Sequence, residues 1–382
     1  MRGFALFGVL AINLDTEFRV TLYEQFFTER AAGALDRLAQ TILSLGFEFK
    51  AITLFSVLFG VGLAIQFDRL AASPRRSTLL IRRLAVLLGF GLAHLLLIWN
   101  GDILTEYAIA GLLILPLLFL PARASLVAAA GLLCLYILMG HLPLPLSFPE
   151  PGLMSRHIAE ARAVYGHGSF LQVAAFRIAE IPGIATLLVF IFPRTMALML
   201  LGALIWKTGL LLQLGKHSHV LLWWSAALIG AGLLLSLEHY GFISMLRSSA
   251  AAETLIDGFA PIILAFGYAA LLLGLSQASA MQPVLAWFAP VGRMAFTNYI
   301  IQSIVLTLLF YGFGLGLMGR VGVAGGLGIA ALIYAGQSWA SAWWLDRHRF
   351  GPLEWLWRTL MYGEPQQWRG KVARAATAAP LG

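Results

Sequence analysis

Arg82 to Leu113 reads RRLAVLLGFGLAHLLLIWNGDILTEYAIAGLL. Two apolar runs flank a short polar corner. From Leu84 to Trp99 a single ionisable residue, His94, interrupts the first run; Asn100-Gly101-Asp102 then supplies turn chemistry, because Asn and Asp bond their own backbone and Gly accepts positive φ. Glu106 and Tyr107 follow on the second run. This pattern predicts two membrane helices joined by a tight turn. An ionisable side chain at membrane depth costs about 2.5–3.5 kcal/mol on insertion scales, so it faces a bundle interior or a wet cavity. His94, Asp102 and Glu106 are therefore the first functional candidates.

Composition extends that reading to the whole chain. Its 382 residues are 60% hydrophobic and 12% charged, with mean hydropathy +0.83, whereas a water-soluble domain carries about 25% charged residues. The expected fold class is an all-α polytopic integral membrane protein. Ten apolar spans are expected, at roughly 3–20, 48–66, 83–100, 103–121, 124–142, 184–205, 219–237, 259–276, 292–312 and 324–345. The first is short of the roughly 20 residues usual for a span, which suggests a partly interfacial helix, and no small-residue cleavage site follows it. The sixth stays apolar to Leu214, as one long tilted helix or a span with a re-entrant end. The single cysteine, Cys134, excludes an intrachain disulfide and any cysteine-based metal centre, and is expected as a small packed hydrophobe.

The net charge of +8 follows from topology and calls for no nucleic-acid partner. With the N-terminus placed in the cytoplasm, sixteen basic and four acidic residues fall inside, against nine and fourteen outside. This satisfies the positive-inside rule with both termini cytoplasmic. Segments 15–47 and 142–182 are then external. Four prolines (143, 145, 149 and 151) stop the fifth span, and 147–180 is expected as an amphipathic helical cap over the outer mouth. The Trp- and Arg-rich stretch 346–365 suits a cytoplasmic interfacial helix, and 366–382 a disordered tail. The glycines of 312–328 follow no strand, so they indicate helix packing or a corner in place of a nucleotide loop. His217-Ser218-His219 is expected to be solvated, and no metal site is expected.

Other charged residues widen the candidate set. Arg194 falls inside a span after Pro193 and needs a buried acceptor or a wet cleft. Arg293 and Asn298 open the ninth span in GRMAFTNYIIQS, and a cation there suits a phosphate-bearing donor as well as the membrane surface. Glu48 and Lys50 flank the outward end of the second span. His94 has three readings: general base, structural hydrogen bond between helices (to Ser56 or Thr53, for example), or proton relay. Along one straight helix Asp102 would lie about 12 Å beyond it. Only a fold-back at the corner lets Asp102 or Glu106 orient the imidazole.

RGFALFGVLAIN (2–13), FKAITLFSVLFGVGLAIQ (49–66), the opening stretch, GRMAFTNYIIQSIVLTLLFYGFGLGL (292–317) and HRFGPLEWLWRTLMYG (348–363) together resemble the YeiB-like bacterial membrane proteins, classed as domain of unknown function 418. The resemblance spans nearly the whole chain and implies a multi-pass protein of the bacterial inner (plasma) membrane. The RGxAxxGxxxxN start is also similar to that of transmembrane acyltransferases, including relatives of heparan-α-glucosaminide N-acetyltransferase. That similarity implies transfer of an acyl group from a cytoplasmic donor, acyl-coenzyme A, to an extracytoplasmic acceptor, with no permanently bound cofactor and the lipid bilayer as partner. For such a transfer His94 stands as a substitute candidate for the base, with Asp102 or Glu106 as the orienting carboxylate and Arg2, Arg194, Arg293 and Asn298 toward the donor. Two features depart from the pattern. The acyltransferases carry their histidine soon after the Asn, but 14–46 holds none, and the acidic residue that usually precedes the Arg-Gly pair has no counterpart before Met1-Arg2. The rival functions are a transporter or proton-coupled carrier and a non-catalytic membrane scaffold.

Overall fold

A chain of long apolar runs must satisfy its backbone N–H and C=O groups within each run, and helices do this. The computed structural model describes residues 1–21, 23–24, 33–139, 150–214, 218–243, 245–246 and 249–370. Among these no β-strand occurs, and the helices are α1 (Arg2–Asn13, continued by a π-turn, Leu14–Phe18), α2 (Ala34–Gly46), α3 (Lys50–Arg69), α4 (Arg76–Leu97), α5 (Ile103–Ile114), α6 (Ala122–Met139), α7 (Pro151–His167), α8 (Phe170–Lys207), α9 (Leu210–Leu214), α10 (Ser218–His239), α11 (Ala250–Leu275), α12 (Gln282–Arg293), α13 (Ala295–Phe310), α14 (Val323–Leu345) and α15 (Pro352–Tyr362).

Seven helical stretches among the described residues are long and apolar enough to cross a membrane: 34–69, α4, α6, α8, α10, 251–275 and α14. An eighth is the pair formed by 279–293 and α13, bent by 81° at Met294. The other two apolar stretches expected to span, α1 and α5, are helices of 12 residues each. α1 is no interfacial helix. Ala5, Leu6, Val9, Leu10 and Ala11 are all buried, and it packs against α3, α12, α13 and α14 in the middle of the main core.

The long apolar run after Pro182 is resolved into one 38-residue helix that begins earlier than expected, at Phe170, where Ser169 and Gln172 form a capping box. It runs through Pro182 and Pro193 and ends at Lys207, before Gly209 at φ +68 and the short α9. At 1.5 Å per residue α8 is about 57 Å long, well beyond a hydrocarbon core of about 30 Å. Its first turns and α7 together form a helical cap against the 99–106 corner; 147–149 lie outside the described residues.

Four further expectations are corrected. Cys134 is exposed on α6, whose buried positions are Ser125 and Ala129 on the opposite side. The chain beyond Gln366 is built into the fold as far as Gly370. Arg349 N–H donates to Trp368 O at 3.0 Å, Trp355 Nε1 to Gln366 O at 2.7 Å, and the Trp355 and Trp368 rings lie 4.2 Å apart, because an indole pair buries more apolar surface packed than solvated. Residues 371–382 and His217 lie outside the described residues. The other two, Arg194 and Asn298, are taken up below.

Candidate functional site

α4 ends where its last carbonyls find other partners. The N–H groups of Ile98 and Trp99 both donate to His94 O, at 2.9 Å, and Arg177 from α8, 1% exposed, donates to the Ile98 and Leu97 carbonyls. Arg177 thus closes the C-terminus of α4 with a cation, as the helix dipole favours. The chain reverses through Asn100-Gly101, and Asp102 caps α5 by accepting from Leu104 N (3.1 Å) and Thr105 N (2.6 Å).

That reversal brings Asp102 back to His94. His94 Nδ1 lies 2.8 Å from Asp102 Oδ1, and neither side chain has any exposure. Gly91, one turn before His94, permits the approach, since a Cβ there would sit 2.5 Å from Thr105 N. The Asp102 oxygens already accept two backbone N–H groups, so the His94 contact is an Nδ1–H donating to carboxylate. The proton on Nδ1 leaves the Nε2 lone pair free, and Nε2 is buried without a hydrogen-bond partner among the described residues. The ring faces Tyr299 at 5.2 Å and Trp99 at 6.2 Å. Ser56 and Thr53 are engaged elsewhere, with Tyr107 and with Arg194.

Glu106, one turn further along α5, does not join the pair; it accepts from Thr195 Oγ1 at 2.5 Å. Beside it Arg194, 3% exposed, donates to Thr53 Oγ1 and to Phe49 O at 3.2 Å. Phe49 occupies the left-handed region (φ 57°), the one non-glycine residue at positive φ among those described. Glu48 accepts from Tyr240 OH at 2.8 Å, and Lys50 Nζ donates to Ser44 O at 2.6 Å.

Two cavities flank the corner. The larger, about 390 Å³, lies between the end of α1 and the starts of α3 and α5, with α8 along one side, and Glu17, Glu48, Asp102, Glu106 and Glu180 line it. The smaller, about 130 Å³, is lined by Arg2, Arg83, Arg293, Tyr299 and Trp357, and Ile103 lines both. His94 is in neither lining; it stands behind Asp102 and Tyr299. Of the four residues expected toward a donor, Arg2 and Arg293 share the smaller cavity. Arg194 does not, since it sits at the opposite end beside Phe49. Asn298 does not either: its amide donates to Ser341 Oγ at 2.9 Å and ties α13 to α14, because it sits on the α13 face turned to α14.

Sequence reasoning missed Glu17, His157, Tyr165, Arg177, Glu180 and Tyr299. Glu180 accepts from Asn100 Nδ2 (2.8 Å), from Tyr165 OH and from His157 Nε2 (2.7 Å), joining the cap to the corner. This hydrogen bond to Glu180 outweighs burial and raises the His157 pKa above its usual value. Glu17 lies over the backbone at Gly101, where a Cβ would be 2.3 Å from its Oε2. A signal did exist for Glu180, an acid set between apolar residues just before Pro182. Charges in segments expected as loops carry no such weight, because a solvated carboxylate needs no partner.

Apolar helices, seven of them among the described residues long and apolar enough to cross a membrane, pack around a buried His–Asp pair, with one cavity lined by carboxylates and another by arginines. Residues 205–364 match the family described as "Protein of unknown function (DUF418)". The chain is 35% identical to the uncharacterized protein YxaH of Bacillus subtilis (strain 168), over 95% of this chain and 92% of the relative. It is 27% identical to the uncharacterized protein YeiB of Escherichia coli (strain K12), over 94% of each, and 28% identical to the uncharacterized 39.9 kDa protein in the amylase 3′ region of Bacillus acidopullulyticus, over 95% of this chain and 92% of the relative. The chain belongs to the YeiB-like DUF418 family. No solved structure matches it.

Proposed function

We propose that this protein is a multi-pass acyltransferase of the bacterial inner membrane, crossing it ten times with both termini inside, which passes an acyl group from a cytoplasmic thioester donor to an extracytoplasmic hydroxyl or amine. The observation that carries this reading is the His94–Asp102 pair, an imidazole oriented through Nδ1 by a carboxylate and left with an unpartnered Nε2. Its contacts support it, since Asp102 lines the larger cavity and Tyr299, against the ring, lines the smaller. Arg83 precedes His94 by eleven residues, about 16 Å of α4, which a donor would bridge with an extended arm. Arg2 and Arg293 line the donor side and five carboxylates the acceptor side.

In this reaction Nε2 takes the acceptor's proton as its oxygen or nitrogen attacks the thioester carbonyl carbon. The C–S bond then breaks, and the departing sulfur receives that proton from the imidazolium. Asp102 opposes the transient positive charge and holds the tautomer. Since Nε2 is closed off at rest, turnover requires Tyr299 or Trp99 to swing away from the ring. The test is transfer of label from acyl-coenzyme A, supplied to the inner face of proteoliposomes, to a hydroxyl or amine acceptor outside. His94→Gln should fold normally and lose at least about 100-fold in rate; wild-type turnover in this variant refutes the reading. A proton-coupled carrier is the second reading, favoured by the five carboxylates of the larger cavity. It requires solute flux in the same vesicles without acyl transfer.

A further inference from the structure

Three arginines from three different elements line the smaller cavity: Arg2 of α1, Arg83 of α4 and Arg293 of α12. None forms an ion pair with a carboxylate among the described residues. The one acid in the wall, Glu354 of α15, has both oxygens occupied. Oε1 accepts from Phe296 N (2.8 Å) and Thr297 N (3.1 Å), and Oε2 from Thr297 Oγ1 (2.6 Å), so Glu354 caps α13 and does not bind an arginine. Arg2 has one long contact, 3.5 Å to Leu58 O. Arg83 lies 4.5 Å from the Trp357 ring, and its Nε is buried with no acceptor.

Surface anchoring accounts for Arg2 and Arg293, which are exposed, but not for Arg83, which is half-buried. A lysine or arginine that serves the positive-inside rule extends toward the headgroups, as exposed Arg82 does next door. Arg83 instead turns inward beneath Trp357, whose Nε1 donates to Arg83 O at 2.9 Å and holds α15 across the cavity. Like charges brought to one cavity repel unless an anion joins them. Guanidinium forks match the oxygens of a phosphate in geometry as well as in charge. The volume of about 130 Å³ leaves room for a phosphate or diphosphate.

We propose that the cavity walled by Arg2, Arg83, Arg293 and Trp357 is a phosphate-binding site, which takes the phosphate of a soluble diphosphate ester or of a lipid headgroup. This rests on the acyl-transfer reading only for its purpose, as the anchor of the donor, and its occupancy is measured apart from turnover.

The full-length protein in nanodiscs of zwitterionic lipid is titrated with pyrophosphate and with coenzyme A by calorimetry, and in parallel nanodiscs containing phosphatidic acid are tested for displacement of those probes. Saturable binding is expected, weakened about tenfold or more by Arg83→Gln and by Arg293→Gln and unaffected by Arg82→Gln. Where Arg83→Gln fails to fold, Arg83→Lys and Arg293→Gln carry the test, the lysine keeping the charge but losing the fork. Binding of pyrophosphate or coenzyme A supports the soluble source, and probes displaced by phosphatidic acid support the lipid source. No binding of any probe, or equal weakening by Arg82→Gln, overturns the site. Intact binding in His94→Gln without acyl transfer in the wild type sinks the transferase and leaves the site standing; acyl transfer without binding does the reverse.

Discussion

Replacing Asp102 removes two things at once, and the structure allows them to be separated. Asp102 caps α5 through two backbone N–H bonds and holds His94 at 2.8 Å with no solvent access. Loss of an N-cap costs about 0.5–2 kcal/mol, while a buried hydrogen bond to a charged group contributes about 1.5–3 kcal/mol. Asp102→Ala should therefore destabilise by roughly 2–5 kcal/mol. Asp102→Asn keeps size and a capping oxygen, but has one acceptor oxygen where the carboxylate uses two. If that oxygen serves Thr105 N, the amide faces His94 and forces the proton onto Nε2, which abolishes the base. The pairwise part is isolated by a double-mutant cycle with His94→Ala, followed by denaturant unfolding in detergent. A coupling of about 1.5–3 kcal/mol is expected between the two positions. As a control, Ser249→Ala removes a plain cap on α11, where the hydroxyl accepts from Ala252 N at 3.2 Å, and should cost only the cap value. A coupling below about 0.5 kcal/mol would mean that the two side chains do not act as a pair.

Gly91→Ala places a Cβ 2.5 Å from Thr105 N, so α5 must retreat; we expect a loss of about 1–3 kcal/mol in thermal unfolding together with loss of activity, and unchanged stability would refute the close approach of α4 and α5. Phe49 is 40% exposed and held at φ 57°, a conformation that costs a non-glycine residue about 1–2 kcal/mol, so Phe49→Gly should stay within about 1 kcal/mol of wild type while Phe49→Val falls below it; the reverse order in denaturant midpoints removes the strain argument. His157 has a pKa raised by Glu180, so the folded state binds the proton more tightly than the unfolded one. The pair's contribution is full below the unfolded value of about 6.5 and is lost as pH rises through the folded value. Hydrogen exchange in α7 should thus accelerate on raising the pH through neutrality more than intrinsic exchange chemistry requires, and His157→Gln should remove that excess.

Much of the outline was legible because apolar runs have few physical options in a membrane. The helices near 48–66, 83–100 and 324–345 fall where the runs are, as does the polar corner at 100–102, since Asn-Gly-Asp after an apolar helix is both a stop and a cap. His94 and Asp102 stood out for the same reason, as ionisable groups that the bilayer would penalise. The choice of partner did not: Asp102 and Glu106 offered the same chemistry, and Gly91 decided between them by letting one turn of α5 press against α4. Arg194 and Asn298 show the opposite error. Each is a buried polar residue of the expected kind, yet Arg194 holds the Phe49 carbonyl and Asn298 links two helices. A buried polar group needs some partner, and its sequence neighbours do not say which.

By itself the sequence determined the solvent this chain is built for, the positions where helices form and stop, and the ionisable residues that needed a reason to be inside. Those are local quantities, set by side-chain transfer energies and by backbone hydrogen bonding within a run. Tertiary structure alone decided that α1, short as it is, is central; that Glu180 and Glu17 reach the corner from 80 residues after Asn100 and 84 before Gly101; and that Arg2, Arg83 and Arg293 line one cavity. Contacts of that kind depend on which helix faces lie against each other, and such pairing is set by small residues such as Gly91 and by buried polar ties summed over the whole bundle.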